Sequence, residues 1–107
     1  MSDMRVSEDT RGDWHLVSVG GRVDSLTADP LSAVLVDAVA AHAQVAVDCS
    51  AVDYISSAGL AALLNGARAA RSANKTFIVC GPSPRMQQVL DVSRLNTLLN
   101  VQAVLPC

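Results

Sequence analysis

The run Ser56-Ser57-Ala58-Gly59-Leu60 carries the most informative chemistry of this chain. Two adjacent hydroxyls follow the apolar stretch Val52-Asp53-Tyr54-Ile55 and open the Ala/Leu-rich segment 61–70, so they stand where a helix is about to begin. A helix start presents unpaired N–H groups and a partial positive charge, and a negative group added there is tolerated or favoured. A phosphoserine at that spot is held without unfolding anything, yet it changes the surface sharply. The pair therefore reads as a switch. The plain alternative is an ordinary capping serine, worth about 0.5–2 kcal/mol of stability, and residue types alone leave both readings open.

Other chemistry is thinly supplied. His15 and His42 fall on a strand and at a helix end, with no HxxH or HExxH spacing. Ser57 does not sit in a G-x-S-x-G elbow, and no histidine is placed to activate it. Neither a GxGxxG run nor a Walker loop occurs. The sequence thus implies no enzyme, no catalytic residue, no metal site and no cofactor; ATP would arrive with a kinase. Cys49, Cys80 and Cys107 are odd in number and lack CxxC spacing, which fits a reducing cytosol better than a disulfide framework. Cys80 ends an apolar strand and reads as a small buried hydrophobe. A redox-controlled bond between two of the three is the alternative, and it requires Cα atoms within about 7 Å.

Composition narrows the class. At 107 residues the chain is long enough for one core and too short for two, so residues 1–107 are read as one domain. Half the residues are hydrophobic and only 17% are charged, which argues against disorder. A net charge of −2 with scattered Lys and Arg argues against nucleic acid, which a concentrated basic face usually meets. No stretch is long and apolar enough for a bilayer, and the first residues lack the apolar core of a secretory signal. The expectation is a cytoplasmic domain that touches neither membrane nor nucleic acid directly.

The elements that would position the serine pair follow from periodicity. Trp14-His15-Leu16-Val17-Ser18-Val19 alternates like a strand, ended or bulged at Gly20-Gly21. Residues 4–7 make a candidate preceding strand, with a turn over 9–13. Asp29-Pro30 caps and starts a helix running to about Ala41, with Leu31, Val34, Leu35, Ala38 and Val39 at helical spacing. Residues 44–48 read as a short buried strand, and 49–53 as a turn leading to the serines. A helix from Ser57 to about Ser72 carries Leu60, Leu63, Leu64 and Ala67 on one face. Residues 76–80 form another buried strand, Ser83-Pro84 starts a helix through about Val92, and 98–104 supply a last short strand or a packing tail. Alternating strands and helices imply an α/β layer structure.

Four pieces in order resemble the bacterial anti-sigma factor antagonists, the founding members of the STAS domain. Val19-Gly20-Gly21-Arg22-Val23-Asp24 resembles the family's strand-end motif. Val47-Asp48-Cys49-Ser50-Ala51-Val52-Asp53-Tyr54-Ile55 resembles its strand and approach loop, and Ser56-Ser57-Ala58-Gly59-Leu60 its switch motif. Phe77-Ile78-Val79-Cys80, Ser83-Pro84 and Val89-Leu90-Asp91-Val92-Ser93-Arg94-Leu95 are similar to its last strand–helix unit. The resemblance implies a single STAS-like α/β domain with a mixed sheet of four or five strands and helices mainly on one side. It implies a protein that binds an anti-sigma factor of the serine-kinase type and frees the sigma factor. That kinase phosphorylates the antagonist and ejects it, and a phosphatase restores it. The alternative is an unphosphorylated STAS scaffold or adaptor in another stress-signalling or transport complex.

Carried over by position, the phosphoacceptor falls on Ser57, with Ser56 second. Ser56 stands where the family usually has aspartate, and Ala58 where it has a second serine or threonine, so kinase recognition differs. The implied partner-binding set is Asp24, Ser25, Thr27, Ser56, Ser57, Ala58 and Gly59. Asp24, Ser25 and Thr27 could equally be turn or solvated loop residues. Gly59 either lets a partner backbone approach or is a tolerated helix glycine costing about 1 kcal/mol relative to alanine. Tyr54 reads as core and Asp53 as a solvated turn residue. Arg85, Gln87 and Gln88 read as the wet face of the last helix.

Overall fold

A computed structural model describes residues 4–104 of the chain. In order these form β1 (Arg5–Arg11), β2 (Trp14–Val23), α1 (Ala28–Ala41), β3 (Gln44–Ile55), α2 (Ser57–Ser72), β4 (Thr76–Cys80), α3 (Pro84–Ser93) and β5 (Val101–Gln102). They make a small α/β domain with one mixed sheet in the order β1-β2-β3-β4-β5. β1 and β2 are an antiparallel hairpin, and every later pairing is parallel. Each parallel crossover steps one strand in the same direction. Because such crossovers are right-handed, the three helices fall on one face of the sheet.

That face holds the main core. Val17 and Val19 of β2 and Val45, Val47 and Cys49 of β3 point into it, met by Leu31 and Leu35 of α1, Leu60 and Leu63 of α2, and Met86 and Leu90 of α3. The opposite face carries a smaller cluster of Leu16, Ala46, Ile78 and Cys80. Cys49 and Cys80 are thus buried on opposite sides of the sheet, and no disulfide joins them. Burial, then the neighbouring Cys80 and Asp48, push the Cys49 thiol far up, so it stays protonated. Cys107 lies outside the described residues.

β3 is longer than its sequence suggests. It runs to Ile55, so residues 49–53 are strand and not turn. The reason is in the register. Ser18 faces Asp48 but Gly20 faces Ala51, and Gly21 faces Val52 but Arg22 faces Tyr54, so β3 holds one extra residue at each of two places. Two bulges convert the ordinary period of two into buried residues at 49, 52 and 55, a spacing of three that imitates a turn. Gly21 adopts φ +83° within this irregular stretch. β4 pairs with β3 only as far as Asp48. Beyond that point β3 has β2 on one side, and on the other the start of α3. There Ser83 donates its hydroxyl to the Val52 carbonyl at 2.6 Å and its N–H to the Cys49 carbonyl at 3.2 Å.

Helix α1 begins one residue before the expected Asp29 cap, with Thr27 in the N-cap position. Pro30 is tolerated in its first turn, where N–H groups have no helical partner. Its last turn carries no basic residue. Lys75, from the loop before β4, supplies the missing cation and donates to the carbonyls of Val39 and Ala40 at 2.6 and 3.0 Å. Among the described residues no helix is long and apolar enough to cross a membrane.

Candidate functional site

The C-terminal ends of β2 and β3 lie side by side and both feed helices. Arg22 faces Tyr54 and Val23 faces Ile55 in the parallel register, and the Val23 carbonyl accepts the Ser56 N–H at 2.9 Å. That single bond fixes where α2 begins relative to β2.

The two hydroxyls then diverge in role. Ser56 is the N-cap, with extended backbone at φ −94° and ψ 176°, and its Oγ accepts the Gly59 N–H at 3.3 Å. Its side chain is committed to the helix end. Ser57 is the first helical residue and is exposed. Its hydroxyl makes no hydrogen bond to another described residue, leaving the oxygen open to solvent at the positive end of a 16-residue helix.

The turn after β2 brings a carboxylate to the same place. Asp24 Oδ1 accepts the Leu26 N–H at 3.0 Å, and Oδ2 accepts from Arg22 Nε at 3.0 Å. Burial pushes the Asp24 carboxyl up. The Leu26 N–H, the hydrogen bond and charge of Arg22, and the Thr27 backbone outweigh it, so the acid lies below the ordinary carboxylate value. Arg22 also places its guanidinium 4.2 Å from the centroid of the Tyr54 ring, a cation–π contact.

These groups border a shallow recess of about 650 Å³. Its polar side is Arg22, Asp24, Ser25, Ser56 and Ser57; Tyr54 and Ala58 flank it, and Leu60 with Val89 and Ser93 of α3 close the other side. Two exposed apolar side chains, Leu26 at 76% and Val92 at 85% exposure, are chain neighbours of the bordering residues Ser25 and Ser93.

The structure therefore gathers Asp24, Ser25, Ser56, Ser57 and Ala58, and it separates two residues from them. Gly59 is buried and faces inward. A Cβ there would lie 2.7 Å from Ile55 Cγ1, 2.8 Å from Val23 Cγ1 and 3.0 Å from the Val23 oxygen. Its missing side chain lets α2 dock closely on its own sheet. Thr27 is also buried, its hydroxyl donating to the Arg22 carbonyl at 3.2 Å and accepting the Asp24 N–H at 2.9 Å. It shapes the turn that presents Asp24. Tyr54 departs from expectation in the other direction: it is 40% exposed and carries Arg22.

Arg22 and Tyr54 are the residues that sequence reasoning missed. The available signal was Arg22 at the end of β2, two positions before Asp24 in the turn that follows. Pairing Arg22 with Tyr54, however, requires the bulged register. At the far end of β2, His15 stacks on His42 with ring centroids 3.8 Å apart and bonds Glu8 at 2.7 Å, tying the hairpin to the end of α1. No group of three His, Cys, Asp or Glu among the described residues could hold a metal ion.

Comparison with known families decides the kind of domain. The family model described as "Mlab, STAS domain" matches residues 6–101, nearly the whole described length. The chain belongs to the STAS domain family. Solved structures with the same fold include a Thermotoga maritima protein assigned as an anti-sigma factor antagonist (TM-score 0.84, 15% identity, covering 94% of this chain and 87% of that one). An anti-sigma factor antagonist from Mycobacterium paratuberculosis superposes with TM-score 0.81 at 22% identity, over 96% and 88% of the two chains. The Bacillus cell-fate determinant SpoIIAA, solved in its phosphorylated form, gives 0.70 at 19%, over 95% and 92%. No curated protein sequence matches this STAS domain. These likenesses establish a shared fold, on which the serine pair, the Asp24 turn and the recess of this STAS domain are built.

Proposed function

We propose that this chain is an anti-sigma factor antagonist: a binding module that docks an anti-sigma factor through the recess at the start of α2 and is released when Ser57 is phosphorylated. The observation that carries the reading is the contrast between the two serines. Ser56 is spent as a cap, while Ser57 is exposed, unbonded to any other described residue and the first residue of the helix, bordering the same recess as the Asp24 carboxylate. The fold shared with proteins described as anti-sigma factor antagonists, one of them solved phosphorylated, supports the same role.

The chemistry is a transfer of the γ-phosphoryl of ATP to Ser57 Oγ, with loss of the hydroxyl proton and release of ADP from the kinase. The helix N-terminus stabilises the added charge, so the fold survives. The docking face does not stay the same. It changes from a neutral hydroxyl to about −2 next to Asp24. An unpaired charge trapped in an interface costs about 2–5 kcal/mol, enough to weaken the complex by a factor of roughly 30 to several thousand. Leu26 and Val92 supply apolar contact area that the phosphate does not touch.

The test is incubation with the serine-kinase-type anti-sigma factors of the same genome and ATP, followed by intact mass. One phosphate gained by the wild type and absent in Ser57→Ala is the expected result, with Ser57→Glu losing the complex. A gain that persists in Ser57→Ala and vanishes in Ser56→Ala moves the acceptor by one residue. Ser56 in place of the family's usual aspartate favours, as a second reading, a scaffold that docks through the same face without phosphorylation. Binding with no phosphate gained would establish it.

A further inference from the structure

Arg22 is the single basic side chain among the residues bordering the recess, and Asp24 the single acidic one. Its side chain is half exposed, and only Nε is engaged, by Asp24 Oδ2 at 3.0 Å. A guanidinium has five N–H donors in a planar fork. The remaining donors have no partner among the described residues, while the face of the group rests on Tyr54. Arg22 is also tied to the helix start through the backbone, since its neighbour Val23 accepts the Ser56 N–H.

We propose that Arg22 is the internal counter-charge of the switch: it holds Asp24 in place while Ser57 is unmodified, and its free N–H groups pair with the phosphate once Ser57 carries one. This rests on Ser57 being the phosphoacceptor. The guanidinium fork matches phosphate oxygens in a bidentate arrangement that a serine hydroxyl cannot offer. Tyr54 keeps the group at the rim of the recess and limits the orientations it must give up. The charge balance follows directly. Before phosphorylation Arg22 and Asp24 cancel. Afterwards the phosphate at about −2, Asp24 and Arg22 sum to about −2 with Arg22 present and to about −3 without it. Arg22 therefore offsets one unit of the added charge, and its pairing with Asp24 becomes a pairing shared with the phosphate. The docking face then meets its partner with two altered groups and not one.

The experiment places phosphoserine at position 57 during translation, by genetic-code expansion, in the wild-type chain, in Arg22→Gln and in Arg22→Lys, and follows the phosphorus NMR shift against pH. Pairing with Arg22 lowers the second phosphate pKa below its ordinary value near 6 by roughly half to one unit, a three- to tenfold loss of proton affinity. Arg22→Gln returns it to the ordinary value, and Arg22→Lys, which keeps charge but loses the fork, falls between. An identical titration in wild type and Arg22→Gln overturns the proposal, as does a lysine variant that behaves like glutamine. A merely structural Arg22 would shift the thermal midpoint of modified and unmodified chains equally and leave the titration unmoved. Because the phosphate is installed without a kinase, this result is independent of whether any kinase acts on Ser57.

Discussion

Replacing Gly59 with alanine sets two known effects against each other, and the structure decides the sign. Alanine is the better helix former by up to about 1 kcal/mol, and the residue is the third of α2. Against that, the new Cβ meets Ile55 Cγ1 at 2.7 Å and Val23 Cγ1 at 2.8 Å, both on stiff β-branched side chains, and the Val23 backbone oxygen at 3.0 Å. None of the three is the free end of a flexible chain, so relief requires α2 to lift from the sheet. Overpacking of this kind costs about 1–3 kcal/mol. The net expectation for Gly59→Ala is a loss of about 1–2 kcal/mol. For a domain of this size that lowers the thermal midpoint by roughly 4–16 °C. Urea unfolding followed by far-UV circular dichroism measures it, with an unchanged slope marking a loss in the native state. Ala61→Gly, at an exposed position of the same helix, supplies the propensity term alone, at about 1 kcal/mol. A Gly59→Ala chain as stable as the wild type, or more so, would refute the reasoning. It would mean that α2 is not docked through this glycine.

Two further outcomes follow from the same contacts. Lys75→Met keeps the aliphatic stem but removes the ammonium that bonds the Val39 and Ala40 carbonyls. It should lower stability by about 1–2 kcal/mol, since hydrogen bonds to charged groups contribute about 1.5–3 and this one is partly solvated; equal urea midpoints would count against it. Asp24 is held below the ordinary carboxylate value, so its contribution is present above the unfolded-state pKa near 3.9 and is lost as pH falls through the lower folded value. The stability gap between wild type and Asp24→Asn should thus narrow as the medium is acidified from neutrality to below about pH 4, and a gap that stays constant or widens would contradict the assignment.

How much of this was readable beforehand depends on whether the signal was local. Helix α2 and strand β4 begin and end where spacing and caps place them, because Ser56, the Leu60–Leu63 face and the apolar run at 76–80 each act within a few residues. The second half of β3 was hidden. Its bulges exist only in relation to β2, and they turn an alternating strand into a threefold spacing that reads as a turn. Gly59 was ambiguous for the same reason: two of the three atoms that exclude a side chain belong to Val23, 36 residues earlier in the chain. The N-cap position of α1 falls on Thr27 and not Asp29, and the threonine makes no side-chain cap because its hydroxyl serves the Asp24 turn. The serine pair was legible as a helix start, but dividing it into one cap and one open hydroxyl required the structure.

The short reach of β4 has a mechanical consequence. Past Asp48 the sheet loses β4, and past Ala51 it loses β1 as well, leaving β2 and β3 braced on the open side by Ser83. The serine pair and Asp24 are mounted at the tip of that two-stranded arm, not on the five-stranded slab. The arm is nonetheless anchored in the core through Val23, Val52 and Ile55, so a force applied at its tip is carried into the helix layer by three buried side chains and the Ser83 brace.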